Sequence, residues 1–85
     1  GGALFGHHHR IDRFARWIAR RAGPARGQRL AVGHADAPAA AGELLAALEE
    51  RMPGLEQAFV TEIGTALGVH GGPGTLVVAL QRLDT

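Results

Sequence analysis

The stretch Glu62-Ile63-Gly64-Thr65-Ala66-Leu67-Gly68-Val69-His70-Gly71-Gly72-Pro73-Gly74 sets one histidine into a glycine-rich turn between two apolar runs. Glycine loses more backbone entropy on folding than any other residue, so a turn this rich in it is a costly way merely to join two strands. Such a turn offers backbone amides that can approach a ligand closely or form a concave anion-binding nest. It sets them beside a histidine, the side chain whose charge changes near neutral pH. Two further polar groups follow apolar runs elsewhere. Arg10 carries a planar guanidinium matched to a carboxylate or phosphate, and His34-Ala35-Asp36 closes the run Leu30-Ala31-Val32-Gly33. Glu62 could pair with His70 as acid and base, but bracing the turn is the plainer use of its carboxylate.

Other chemistries are poorly provided for. The chain has no serine, cysteine, tyrosine or lysine, and Thr61, Thr65 and Thr75 lack a base with its orienting partner, so nucleophilic catalysis is not expected. The Gly71 to Gly74 turn lacks the Lys-Ser or Lys-Thr that completes a phosphate loop. On a strand, His7-His8-His9 would leave only His7 and His9 on one face, short of the three or four ligands zinc takes. Neither a metal nor another cofactor is expected.

The elements that must position these groups are legible in the periodicity. Gly2 to Phe5 is a short apolar strand. Ile11, Phe14, Ala15, Ile18 and Ala22 then form one stripe of an amphipathic helix with Arg13, Arg16 and Arg20 opposite, stopped by Gly23-Pro24. Trp17, on the edge of the stripe, reads as a core or domain-interface residue. Arg29 to His34 is a buried strand. Asp36 is a candidate N-cap with Pro38 in the first turn of the next helix, whose stripe is Ala41, Leu44, Leu45, Leu48 and Met52, ended by Pro53-Gly54. Gln57 to Ile63 is a strand, Thr65 to Val69 a helical turn, and Thr75 to Gln81 the strongest strand.

This order predicts a small α/β layer: about four mainly parallel strands, two long helices and the glycine-rich turn, as one domain over residues 1–85. With both helices on one face, the other face needs a cover from a partner domain or a second chain. Ligands of open α/β sheets gather beyond the carboxyl ends of the parallel strands, which is where His7 to Arg10, His34 to Asp36, Glu62 to Gly64 and the glycine turn should meet.

Charge is unevenly spread. Residues 1–33 carry seven arginines against Asp12 alone, and residues 34–85 carry two arginines against seven acids, so the net +1 is +6 followed by −5. Most of the basic excess lies on the first helix and reads as its solvated face, with no nucleic-acid partner expected. No run approaches the roughly 20 apolar residues of a membrane span, and no signal pattern opens the chain. With the missing cysteines, this predicts a cytoplasmic location.

Three of these motifs together resemble the C-terminal part of the DegV family, bacterial fatty-acid-binding proteins that can serve as the lipid-presenting subunit of a fatty-acid kinase. Val32-Gly33-His34-Ala35-Asp36-Ala37-Pro38 is similar to the family's strand-His-Ala-x-x-Pro step. Glu62-Ile63-Gly64 leading to Gly68-Val69-His70-Gly71-Gly72-Pro73-Gly74 is similar to its glycine-histidine signature, and Arg10-Ile11-Asp12-Arg13-Phe14-Ala15 to its helix-start arginine. The resemblance implies a non-enzymatic module that binds the carboxylate or acyl phosphate of a long-chain fatty acid. Arg10 and His70 would contact the head group, Gly71, Gly72 and Gly74 would shape the turn, and His34 and Glu62 would be structural supports. It also implies an absent N-terminal domain carrying the other half of the site, and a separate kinase partner. The alternative is an interaction or scaffolding domain that keeps the fold without a ligand. His7-His8-His9 departs from the family's more apolar approach to the arginine.

Overall fold

A computed structural model describes residues 2–7, 11–64 and 72–83. The elements run β1 (Gly2–His7), α1 (Ile11–Ala22), β2 (Gln28–His34), α2 (Pro38–Arg51), β3 (Gln57–Glu62) and β4 (Thr75–Arg82). This is the expected α/β order. β1 continues two residues past Phe5 because its ladder with β4 extends to His7 opposite Thr75.

α1 buries Ala15 and Ile18 and half-buries Ile11, Phe14 and Ala22. Asp12 in its first turn and Arg20 and Arg21 in its last oppose the helix dipole. Gly23, at φ 72, ends it in the left-handed conformation open to a residue without Cβ. The buried Gln28 side chain then donates from Nε2 to the carbonyls of Ala22 at 3.0 Å and Pro24 at 2.6 Å. It thereby occupies acceptors that a helix end leaves free and ties α1 to the start of β2. α2 buries Ala41, Leu44 and Leu48, and the Met52 N–H donates to the Leu48 carbonyl at 2.8 Å to close it.

The four strands lie in the order β1-β4-β2-β3. β2 and β3 pair in parallel, while β4 runs antiparallel to both its neighbours, β1 and β2. Three strands therefore share one direction and the fourth is inserted between them reversed, which makes the sheet mixed. The cause is local. Ile63 leaves β3, and Gly74 enters β4, at the same sheet edge, and a chain that returns at the edge it left can only run back.

Alternation along β2 sorts the two faces. Leu30, Val32 and His34 stand opposite Leu80, Val78 and Leu76 on the helix side, where Ile18, Leu44 and Leu48 complete a fully buried core. Ala31 and Gly33 face the other way, beside Ala79 and Val77. That face stays open among the described elements, with Phe59 39% exposed. Of the two places expected for Trp17, core or domain interface, the core is ruled out. Trp17 is 45% exposed, stacked on Phe14 with ring centroids 6.2 Å apart, and the Arg21 guanidinium carbon lies 5.0 Å from its ring centre, a cation–π contact on the outer surface.

Candidate functional site

Because β1 and β2 both oppose β4, they run the same way, as does β3. The carboxyl ends of β1, β2 and β3 and the start of β4 consequently lie at one sheet edge. Register fixes the residues there: His7 opposite Thr75, Leu76 opposite His34, and His34 opposite Glu62.

Backbone hydrogen bonds bind this edge together around His34 and Ala35. The Ile63 N–H donates to the His34 carbonyl at 2.9 Å, the Ala35 N–H to the Thr75 carbonyl at 3.1 Å, and the Gly74 N–H to the Ala35 carbonyl at 2.8 Å. Thr75 adds a clasp, its hydroxyl donating to the Gly72 carbonyl at 2.7 Å. Both roots of the glycine-rich segment are thus tied to the same two residues at the end of β2. Gly72 and Gly74 have φ of 65 and 92, values that side chains with a Cβ rarely take. Of the other head-group and turn residues singled out in the sequence, Arg10, His70 and Gly71 lie outside the described residues, as does the Thr65 to Val69 helical turn.

The His34 side chain is buried, at 4% residue exposure. Its Nδ1 accepts a hydrogen bond from the Ala37 N–H at 3.1 Å, which assigns the ring hydrogen to Nε2. Glu62 Oε2 accepts from the Asp36 N–H at 3.2 Å and lies 3.9 Å from His34 Nδ1. Asp36 itself stands in the left-handed region at φ 55, a conformation that aspartate tolerates better than most residues. The expected N-cap is corrected here: Ala37 occupies the cap position without a side-chain cap of its own, and the first amides of the turn are served by His34 and Glu62. Sequence reasoning missed this pairing, since a histidine three residues before the cap position is not a capping signal. It missed the Thr75 clasp as well.

Gly33 seats the third element of the edge. A Cβ placed on it would lie 2.8 Å from Ile63 Cγ2, so Ile63 folds over the open face onto bare backbone. Gly33→Ala is expected to destabilise the chain by about 1 to 3 kcal/mol through this overlap. Trimming the partner in Gly33→Ala/Ile63→Ala should recover part of that loss, measured by urea unfolding. A Gly33→Ala variant as stable as the parent would show that Ile63 does not rest there.

Away from this edge, a groove of about 470 Å³ lies between α1 and α2, lined by Ile11, Asp12, Glu43, Ala46, Ala47 and Glu50. Three carboxylates make it hostile to an anionic head group. Among the described residues, no group of three His, Cys, Asp or Glu side chains is placed to hold a metal ion, and no helix is long and apolar enough to cross a membrane.

Residues 3–82 match the family model described as uncharacterised protein, DegV family. The chain belongs to the DegV family. A DegV domain-containing protein of Mycobacterium bovis is 46% identical over 52 residues, which are 61% of this chain and 19% of that protein. A Streptomyces coelicolor DegV domain-containing protein is 42% identical over 52 residues, 61% of this chain and 18% of its own length. A Thermotoga maritima protein whose structure is described as revealing fatty acid binding function superposes with a TM-score of 0.69 at 26% identity, over 86% of this chain and 26% of that one. A DegV family protein of Corynebacterium glutamicum gives a TM-score of 0.66 at 24% identity, over 88% of this chain and 28% of its own, a likeness that bears on the fold. This DegV chain thus spans about a fifth of the length of the curated relatives it matches.

Proposed function

We propose that this chain forms one wall of a fatty-acid-binding site, with the Arg10 guanidinium and the His70 imidazole gripping an acyl carboxylate or acyl phosphate. DegV membership and the likeness to the fatty-acid-binding Thermotoga maritima protein support the reading. The observation that carries it is the shared sheet edge. β1 ends there at His7, three residues before Arg10, and β4 begins there at Thr75, five residues beyond His70. A planar guanidinium and an imidazole N–H are the donors such an acid needs, and hydrogen bonds to a charged group are the strong ones. Gly71, Gly72 and Gly74 shape the turn around the head group, and His34 and Glu62 hold the strand ends behind it.

In this reading the chain is half of a site. A second α/β domain supplies hydroxyl donors from the other side, and binding by this half alone is weak. No chemical step is assigned to the chain: with no serine, cysteine, tyrosine or lysine, it presents the ligand, in the cytoplasm, to a separate fatty-acid kinase that carries out the phosphoryl transfer. Lipid extraction and mass spectrometry of the protein purified with its complementary DegV domain should find a stoichiometric long-chain fatty acid. A lipid-free protein that also fails to take up added palmitate would overturn the reading.

A further inference from the structure

We propose that His34 and Glu62 form a proton-operated latch on the turn that starts α2. In the state described above, two acceptors hold two adjacent amides: His34 Nδ1 takes the Ala37 N–H at 3.1 Å and Glu62 Oε2 takes the Asp36 N–H at 3.2 Å. The acceptors themselves are 3.9 Å apart. A proton arriving from solvent on Nδ1 uses the lone pair that holds Ala37. Nδ1–H and the Ala37 N–H then confront each other as two donors, at a helix N-terminus whose dipole already disfavours a cation. A buried imidazolium needs a counter-charge, and the nearest carboxylate is Glu62. A carboxylate with two oxygens can take the new Nδ1–H and keep the Asp36 N–H, so the amide that the proton deprives of its acceptor is that of Ala37.

Among the described residues, the packed elements offer no competing carboxylate. On β4 the residues beside His34 are Thr75 and Leu76, which do not titrate in this range. The first turn of α2 carries no acid, and Asp36 is an exposed member of the turn itself. Glu62 is the carboxylate that β3 contributes, with its side chain 60% exposed and free to swing. The consequence reaches the glycine-rich segment, because Ala35, next to the turn, holds both Gly74 and Thr75. Acid therefore loosens the root of that segment. On the fatty-acid reading, on which this last step rests, acidification promotes release of the ligand.

The latch is tested on the lipid-free chain by nuclear magnetic resonance from about pH 8 to about pH 5, the range in which histidine serves as a switch. The Asp36 and Ala37 amide resonances are expected to follow the His34 ring signals in one transition. Exchange of the Ala37 amide, corrected for its intrinsic pH dependence, should rise at least about tenfold while that of Leu48 and Val78 does not change. Glu62→Gln keeps an acceptor for Asp36 but removes the charge, so it should move the transition to lower pH. Amides that ignore the His34 transition, or an identical transition in Glu62→Gln, would overturn the latch. Fatty-acid retention at pH 8 is a separate readout: its absence contradicts the binding reading, and the amide transition still decides the latch.

Discussion

Replacing Arg10 and His70 together by alanine is expected to weaken fatty-acid retention at least about a hundredfold, and either substitution alone about tenfold or more. Each charge-assisted hydrogen bond to the head group contributes about 1.5 to 3 kcal/mol, and each 1.4 kcal/mol is about a factor of ten in affinity. The apolar tail is left untouched, so residual binding should lose its preference for a free acid over the methyl ester. That loss of discrimination separates a missing head-group grip from a damaged tail route. Competition binding with palmitate and methyl palmitate, on protein carrying its complementary domain, measures both quantities. The thermal midpoint should stay within a few degrees of the parent. Parental affinity in the double variant would remove Arg10 and His70 from the site.

Leu48→Ala should have the largest effect on stability. Leu48 is fully buried on α2, in the same cluster as Leu44, Leu30 and Ile18, so truncation loses the transfer free energy of the removed atoms and leaves a cavity. Large-to-small changes of this kind cost about 2 to 5 kcal/mol. Against the few kcal/mol to roughly a dozen expected of a domain this small, that is a large share. The thermal midpoint should fall by about 10 °C or more. Ala46→Ser, on the exposed side of the same helix, should shift it by a small fraction of that. Equal midpoints for Leu48→Ala and the parent would contradict the packing of α2 on the sheet.

Much of the fold can be read from local pattern because local pattern causes it. α1 follows from its stripe and the Gly23-Pro24 stop, and α2 from Pro38 and the spacing of Ala41, Leu44 and Leu48. Strand direction is different. Nothing within Thr75–Arg82 says that β4 runs against β2; direction comes from Ile63 and Gly74 being tied to His34 and Ala35 at one edge, a contact between distant residues. The departure of Trp17 from the core has a similar origin. Its position on the edge of the stripe is compatible with either face, and the roll of α1 onto α2 decides between them.

The candidate site was legible to a different depth at each residue. Types and spacing alone marked His34, Glu62 and the glycine turn, since polar groups after apolar runs fall where strands end. That His34 serves as an acceptor could not be read. It depends on Asp36 adopting φ 55, which points the Asp36 and Ala37 amides back at Glu62 and His34, and a strand-end histidine has many other partners open to it. Gly33 likewise read as one more apolar position until Ile63 was seen against it.

The most direct test of the binding reading is a crystal structure of the protein with palmitate, complementary domain included. The expected result is one carboxylate within hydrogen-bonding distance of both the Arg10 guanidinium and the His70 imidazole, beyond the carboxyl ends of β1, β2 and β3. A carboxylate bound elsewhere, or Arg10 and His70 opening to opposite sides of the molecule, would contradict it.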